Sequence, residues 1–85
     1  MYLNLGQEVL RRGDIIGIFD LDTSTVQKKT RDYLSGAEKA GEVRTLGEDL
    51  PRAFVVENRA GSKKQQIYLT QLSAATLLKR MKDVF

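Results

Sequence analysis

The sequence predicts an α+β fold: a small, mostly antiparallel sheet with two helices, in the order strand, strand, helix, strand, strand, strand, helix. Three observations lead there. The runs Ile15-Ile16-Gly17-Ile18-Phe19 and Ala53-Phe54-Val55-Val56 are short, uninterrupted and rich in β-branched and aromatic residues, which is the signature of covered strands. Two other stretches, after Ser24 and after Ser73, carry apolar residues at helical spacing. The pieces between them hold Gly, Pro, Asn and Asp, the residues that turn a chain. At 85 residues the chain is read as a single domain, 1–85. A core of that size buries only about 60% of the unfolded surface, so association with another subunit often supplies the remainder.

Each element has its own signal. Tyr2 to Leu5 and Val9 to Leu10 are short strand-like pieces punctuated by Gly6 and Gly13, and Asp14 to Leu21 is the first strong strand. Its apolar residues do not alternate with polar ones, so both faces are expected to be covered, by the domain's own helices or by another subunit. Ser24 with Gln27 three residues on is a capping-box pair, and Val26, Thr30, Tyr33, Leu34 and Ala37 share a helical face that stops near Gly41. Lys28, Lys29, Arg31 and Asp32 fall off that face, as a solvated surface would. Glu42 to Leu46 alternates like an edge or half-buried strand, and Gly47 to Pro51 turns the chain into the second strong strand, Arg52 to Glu57. After a polar loop, Ile67 to Thr70 is the last strand. Ser73 can cap the final helix, Leu72 can staple against Leu77, and Ala74, Leu77, Leu78 and Met81 form its stripe. Lys79, Arg80 and Lys82 complement the dipole at that helix's end, and Val84 and Phe85 extend the stripe, an end expected to dock.

Composition limits the chemistry. With no Cys and no His, thiol nucleophiles, disulfides, thiolate or imidazole metal sites and an imidazole general base are all excluded. No cofactor is expected. The strand running into Asp20-Leu21-Asp22-Thr23-Ser24 resembles the first motif of haloacid-dehalogenase-type phosphatases, in which one aspartate attacks phosphorus. Such enzymes need a doubly wound parallel sheet and later motifs with further acids, and the only acid after Glu57 is Asp83. The same residues fit a helix entrance, where acids and hydroxyls cap free N–H groups. The expectation is therefore no enzyme, with Asp20 and Asp22 structural. Glu48-Asp49, beside Gly47, Leu50 and Pro51, reads as a solvated turn.

The charge balance is mildly basic, 14 Lys plus Arg against 11 Asp plus Glu. Whether that serves nucleic acid depends on whether the cations share a face. They cluster at Arg11-Arg12, Lys28-Lys29-Arg31, Arg59 with Lys63-Lys64, and Lys79-Arg80-Lys82. The loop 58–66 holds three cations and no acid, which suits either a solvated hairpin tip or a finger contacting phosphates. No apolar run reaches the roughly 18 residues of a membrane span. Met1 to Leu5 lacks the charge and length of a secretory leader, so a soluble, cytoplasmic chain is expected.

Taken together, Tyr2-Leu-Asn-Leu-Gly6, Asp14-Ile-Ile-Gly-Ile-Phe-Asp20, Pro51-Arg-Ala-Phe-Val-Val56, Ile67-Tyr-Leu69 and Leu72-Ser-Ala-Ala-Thr-Leu-Leu-Lys-Arg80 resemble the RemA/RemB family of bacterial extracellular-matrix regulators, and most closely RemB. The likeness runs end to end in order. It implies a DNA-binding regulator of biofilm matrix genes whose subunits form ring-like homo-oligomers, with arginines on double-stranded DNA and mainly backbone contacts. RemA-like members carry an arginine where this chain has Asp14 and an Arg-Arg pair near Glu48-Asp49; Arg52 carries over. The candidate DNA-binding residues are thus Arg52, Arg11, Arg12, Arg59, Lys63 and Lys64. The alternative is an oligomeric interaction protein of the RemB type that holds no DNA itself and partners a RemA-like relative.

Overall fold

The computed structural model describes residues 2–21, 27–59 and 64–82. The strands are β1 (Tyr2–Asn4), β2 (Val9–Arg11), β3 (Ile15–Asp20), β4 (Val43–Thr45), β5 (Ala53–Glu57) and β6 (Gln66–Thr70). The helices are α1 (Lys28–Lys39) and α2 (Ala74–Lys82). A four-stranded sheet runs β3-β5-β6-β4, and β1 and β2 form a separate antiparallel hairpin. All pairings are antiparallel except β4 with β6. The α+β class, the two helices and the edge position expected for β4 all hold. The opening differs in detail: the short pieces before Gly13 are two paired strands, so three strands precede the first helix.

Local chemistry explains the hairpin. The Asn4 side chain accepts from the Gly6 N–H at 2.7 Å, Leu5 N–H donates to the Glu8 carbonyl at 2.8 Å, and Gly6 takes a positive φ of 96°. Leu3 and Leu10 point inward opposite each other, while Tyr2, Asn4, Val9 and Arg11 face solvent. A single 3-10 turn, Arg12–Asp14, then leads into β3.

β5 is one of the two inner strands of the sheet and has no exposed residue. Ala53 and Val55 pack with Leu3, Leu5, Leu10, Leu46, Tyr68 and Leu77, beneath the hairpin and α2. Phe54 and Val56 pack on the opposite face with Ile67 and Ala37, beneath α1. The domain is thus three layers: hairpin with α2, sheet, α1. Among the described residues the lower layer is incomplete. α1 sends Ala37 and Leu34 toward Val43, Val56 and Ile67, and the edge strand β3 keeps Ile16 57% and Phe19 43% exposed. A register shift between Ile15 and Gly17 turns Ile16 outward. Of the two covers expected for β3, the described helices leave Ile16 and Phe19 exposed, so the expected cover of that face is another subunit.

The helix boundaries follow their caps. Ser73 Oγ accepts from the Thr76 N–H at 3.1 Å, and Leu72 packs against the cluster containing Leu77, as the sequence predicts. Leu78 leaves the expected stripe and is exposed, because the buried side of α2 is Ala74, Leu77 and Met81. α1 ends in a Schellman motif: Glu42 N–H reaches the Ala37 carbonyl at 2.9 Å, Gly41 N–H the Glu38 carbonyl at 3.0 Å, and Gly41 has φ of 74°. At its start, Gln27 is the N-cap and makes no side-chain capping bond; Ser24, its partner in the expected capping box, and Val26 of the expected apolar face lie outside the described residues. Tyr33 is also more exposed than its expected core position implies, since its ring sits at the open margin of α1. Val84 and Phe85 lie outside the described residues too.

The turn after β4 is held from three sides. Gly47 has φ of 87°, and its N–H donates to Gln7 Oε1 at 3.2 Å. With its amide oxygen toward the turn, Gln71 accepts from the N–H groups of Glu48 at 2.5 Å and Asp49 at 2.7 Å. A Cβ on Gly47 would lie 1.9 Å from the Gln71 side chain. Gly47→Ala is therefore expected to cost about 1–3 kcal/mol in urea denaturation, combining left-handed strain with loss of the Gln71 clamp. Gly13→Ala, where a Cβ meets nothing within 4 Å, should stay within about 0.5 kcal/mol of the parent.

Candidate nucleic-acid interface

The predicted cations divide between two ends of the sheet. Arg11 closes β2, Arg12 begins the following turn, and the Asn58 N–H donates to the Asp14 carbonyl at 2.8 Å, tying that turn to the end of β5. Arg59 follows two residues later, and Lys64 stands just before β6. One depression is lined by Val9, Arg11, Asp14, Glu57 and Arg59, and a second by Arg44, Glu57, Arg59, Lys64 and Tyr68 among others. They share Glu57 and Arg59, and a third depression lined by Arg11, Arg12, Gly13 and Asp14 adjoins the first, so Arg11, Arg12, Arg59 and Lys64 belong to one flank. Lys63 lies outside the described residues. Arg52 is at the other end of β5, where its N–H donates to the Thr70 carbonyl at 2.8 Å and its carbonyl accepts from Leu21 at 3.0 Å. A strand of that length holds it about 16 Å or more from the flank.

Glu48 and Asp49 lie in the exposed turn at the Arg52 end, whereas Asp14 lies on the basic flank. Asp14 and the Glu48-Asp49 pair thus lie on different surfaces.

The flank is organised by an acid. Glu57 is 1% exposed, and its carboxylate accepts from Arg59 Nε at 3.2 Å and from the Tyr68 hydroxyl at 3.4 Å. A buried carboxylate is tolerable only when paired in this way. Arg59 gives its Nε to the pair and keeps its side chain 63% exposed, an arginine aimed by an internal partner. The Glu57 hydrogen bond and charge hold Arg59 above its ordinary pKa. Arg44, on β4, pairs with Glu8 of the hairpin turn. Burial pushes the Tyr68 hydroxyl up, as do the charges of Glu57 and Glu8, while Arg59 opposes them.

Glu57, Tyr68, Arg44 and Glu8 are not among the residues the sequence singles out. Glu57 had one signal, a charge closing an otherwise apolar strand. Its partner could be found only from the pairing of β5 with β6, which sets Val55 opposite Tyr68 and Glu57 opposite Gln66.

Asp20 is half-buried at the end of β3, opposite Ala53, and Asp22 lies outside the described residues. β3 pairs antiparallel and at the sheet edge, unlike the parallel sheet that carries the phosphatase motif. Among the described residues no cluster of acids could hold a metal ion, and no helix is long and apolar enough to cross a membrane. No protein-family model matches the chain, and no curated protein matches it.

The raised tyrosine gives a pH dependence with a definite sign. A pKa higher in the folded than in the unfolded state means the folded protein retains its proton longer, so the stabilisation is complete below the ordinary tyrosine value of 10.0 and is lost as pH rises past it. Urea midpoints are expected to fall above that pH, and Tyr68→Phe should flatten the fall, with tyrosinate absorbance reporting the ionisation.

Proposed function

We propose that the chain is a cytoplasmic, self-assembling transcriptional regulator of the RemA/RemB type, acting on biofilm matrix genes by holding the backbone of double-stranded DNA. What carries the reading is the gathering of Arg11, Arg12, Arg59 and Lys64 on one flank, from elements far apart in sequence. The end-to-end likeness of the strand and helix motifs to that family supports it. Lys63 joins the contact set by its place beside Lys64, and Arg52 serves as a second, separate contact. Arginines aimed from a rigid sheet suit phosphate, whose recognition needs charge and a fork of donors and no particular base. Binding of this kind is dominated by counterion release and weakens steeply with salt.

A second reading has its own observation. Asp14 and Glu57 stand inside the basic flank, and carboxylates there oppose phosphate. Under that reading the chain is an oligomeric interaction protein of the RemB type that works beside a DNA-binding relative.

Fluorescence anisotropy with a mixed-sequence duplex separates the two. On the DNA reading, affinity falls linearly with salt on logarithmic axes, and Arg11→Ala with Arg12→Ala weakens binding equally across sequences while reducing the slope by about 0.9 per lost phosphate contact. Absence of salt-sensitive binding to any duplex would leave only the interaction protein.

A further inference from the structure

The part of the lower layer left open among the described residues is a groove between β3 and α1, about 300 Å³ in volume, lined by Ile16, Phe19, Lys29, Tyr33, Phe54 and Val56. It is a built feature. The Phe19 ring stacks on Phe54 with centroids 4.9 Å apart, and it lies so close over Gly17 that a Cβ there would come within 2.6 Å of it. The Tyr33 hydroxyl donates to Gln65 Oε1 at 2.7 Å and closes one end. A groove lined by this much aromatic and aliphatic surface on so small a domain marks an interaction site.

The same chain exposes a matching projection. Leu50 is 87% exposed, the most exposed large apolar side chain among those described. It sits on the clamped turn, where Gln7 holds Gly47 and Gln71 holds Glu48 and Asp49. A projection fixed in advance loses little conformational freedom on docking. The charges also correspond: Leu50 follows the exposed acids Glu48 and Asp49, while the groove rim is Lys29, with Lys28 and Arg31 exposed on the same helix turn.

We infer that the Leu50 turn of one copy seats in the β3–α1 groove of the next, with Glu48 and Asp49 against the α1 cations. The occupant is a second copy of this chain. Projection and groove are different surfaces of one molecule, so the contact is head-to-tail and extends to a ring or a filament. The inference rests on the self-assembling reading above and assigns its interface.

Light scattering after size exclusion tests it at micromolar concentration. The parent is expected as an oligomer, and Leu50→Asp or Ile16→Asp should each reduce it to the mass of one subunit with an unchanged circular dichroism spectrum. Should Ile16→Asp not fold, Tyr33→Glu makes the same test from the helix wall. Mixing the two variants should give a heterodimer that grows no further, because only the intact turn of one and the intact groove of the other remain. A monomeric parent overturns both self-assembly and this interface. An oligomeric parent whose variants keep its mass, or variants that fail to pair on mixing, overturn this interface alone.

Discussion

β5 imposes the constraint on which the rest of the molecule depends. Five successive residues, Ala53 to Glu57, have no exposed face, so material must cover the sheet on both sides. Among the described residues the two short helices are joined by a third cover, the β1–β2 hairpin, which places Leu3 and Leu10 beside α2 over Ala53 and Val55. Among the described residues, α1 and Leu21 cover the other side. One helix covers the β6–β4 half of the sheet and stops short of β3, and the apolar groove is the remainder.

The last residue of β5 extends the same constraint into electrostatics. Glu57 shares the strand's burial but carries charge, so its position requires donors, and Tyr68 and Arg59 supply them. The acid weakens the basic flank by one charge while fixing the direction of its central arginine. For an interface that recognises phosphate by geometry as well as by charge, an oriented guanidinium contributes more than a mobile one, because less rotamer freedom is lost on contact. Glu8 with Arg44 repeats the arrangement at the surface, where solvent screening makes the pair worth little to stability.

Much of this was legible in the sequence, and the failures have physical reasons. Unbroken β-branched runs announced β3 and β5, the alternation of Glu42 to Leu46 announced an edge, and Ser73 and Gly41 marked helix ends whose hydrogen bonds are local. Local chemistry can be read from neighbours in the chain. Pairing cannot: the parallel β4–β6 contact and the Glu57–Tyr68 bond depend on register between distant segments. Periodicity marked Tyr33 and Leu78 as core because it sees only the helix and never the width of what the helix packs on. The candidate site was half legible in the same sense: residue types identified the cations, but nothing in the spacing told Arg52 apart from Arg11, Arg12 and Arg59, which lie at the other end of β5.

The acids that stand where the RemA pattern has arginines take on meaning from their separate locations. Asp14 is on the flank itself, so it can only temper attraction there. Glu48 and Asp49 are at the opposite end, on a turn held rigid by Gln7 and Gln71 and followed by an exposed leucine. In a head-to-tail assembly those two acids spend their charge on the neighbour's α1 cations and no longer oppose DNA. Gln65 lines both the groove and the depression beside Arg59 and Lys64, so a turn docked as proposed would arrive next to the basic flank of its neighbour. The proposed assembly would then repeat that flank at a fixed interval. On the proposed DNA reading, individually weak, salt-sensitive phosphate contacts would become collectively effective through multivalency, which would be the physical reason for a mildly basic 85-residue domain to assemble.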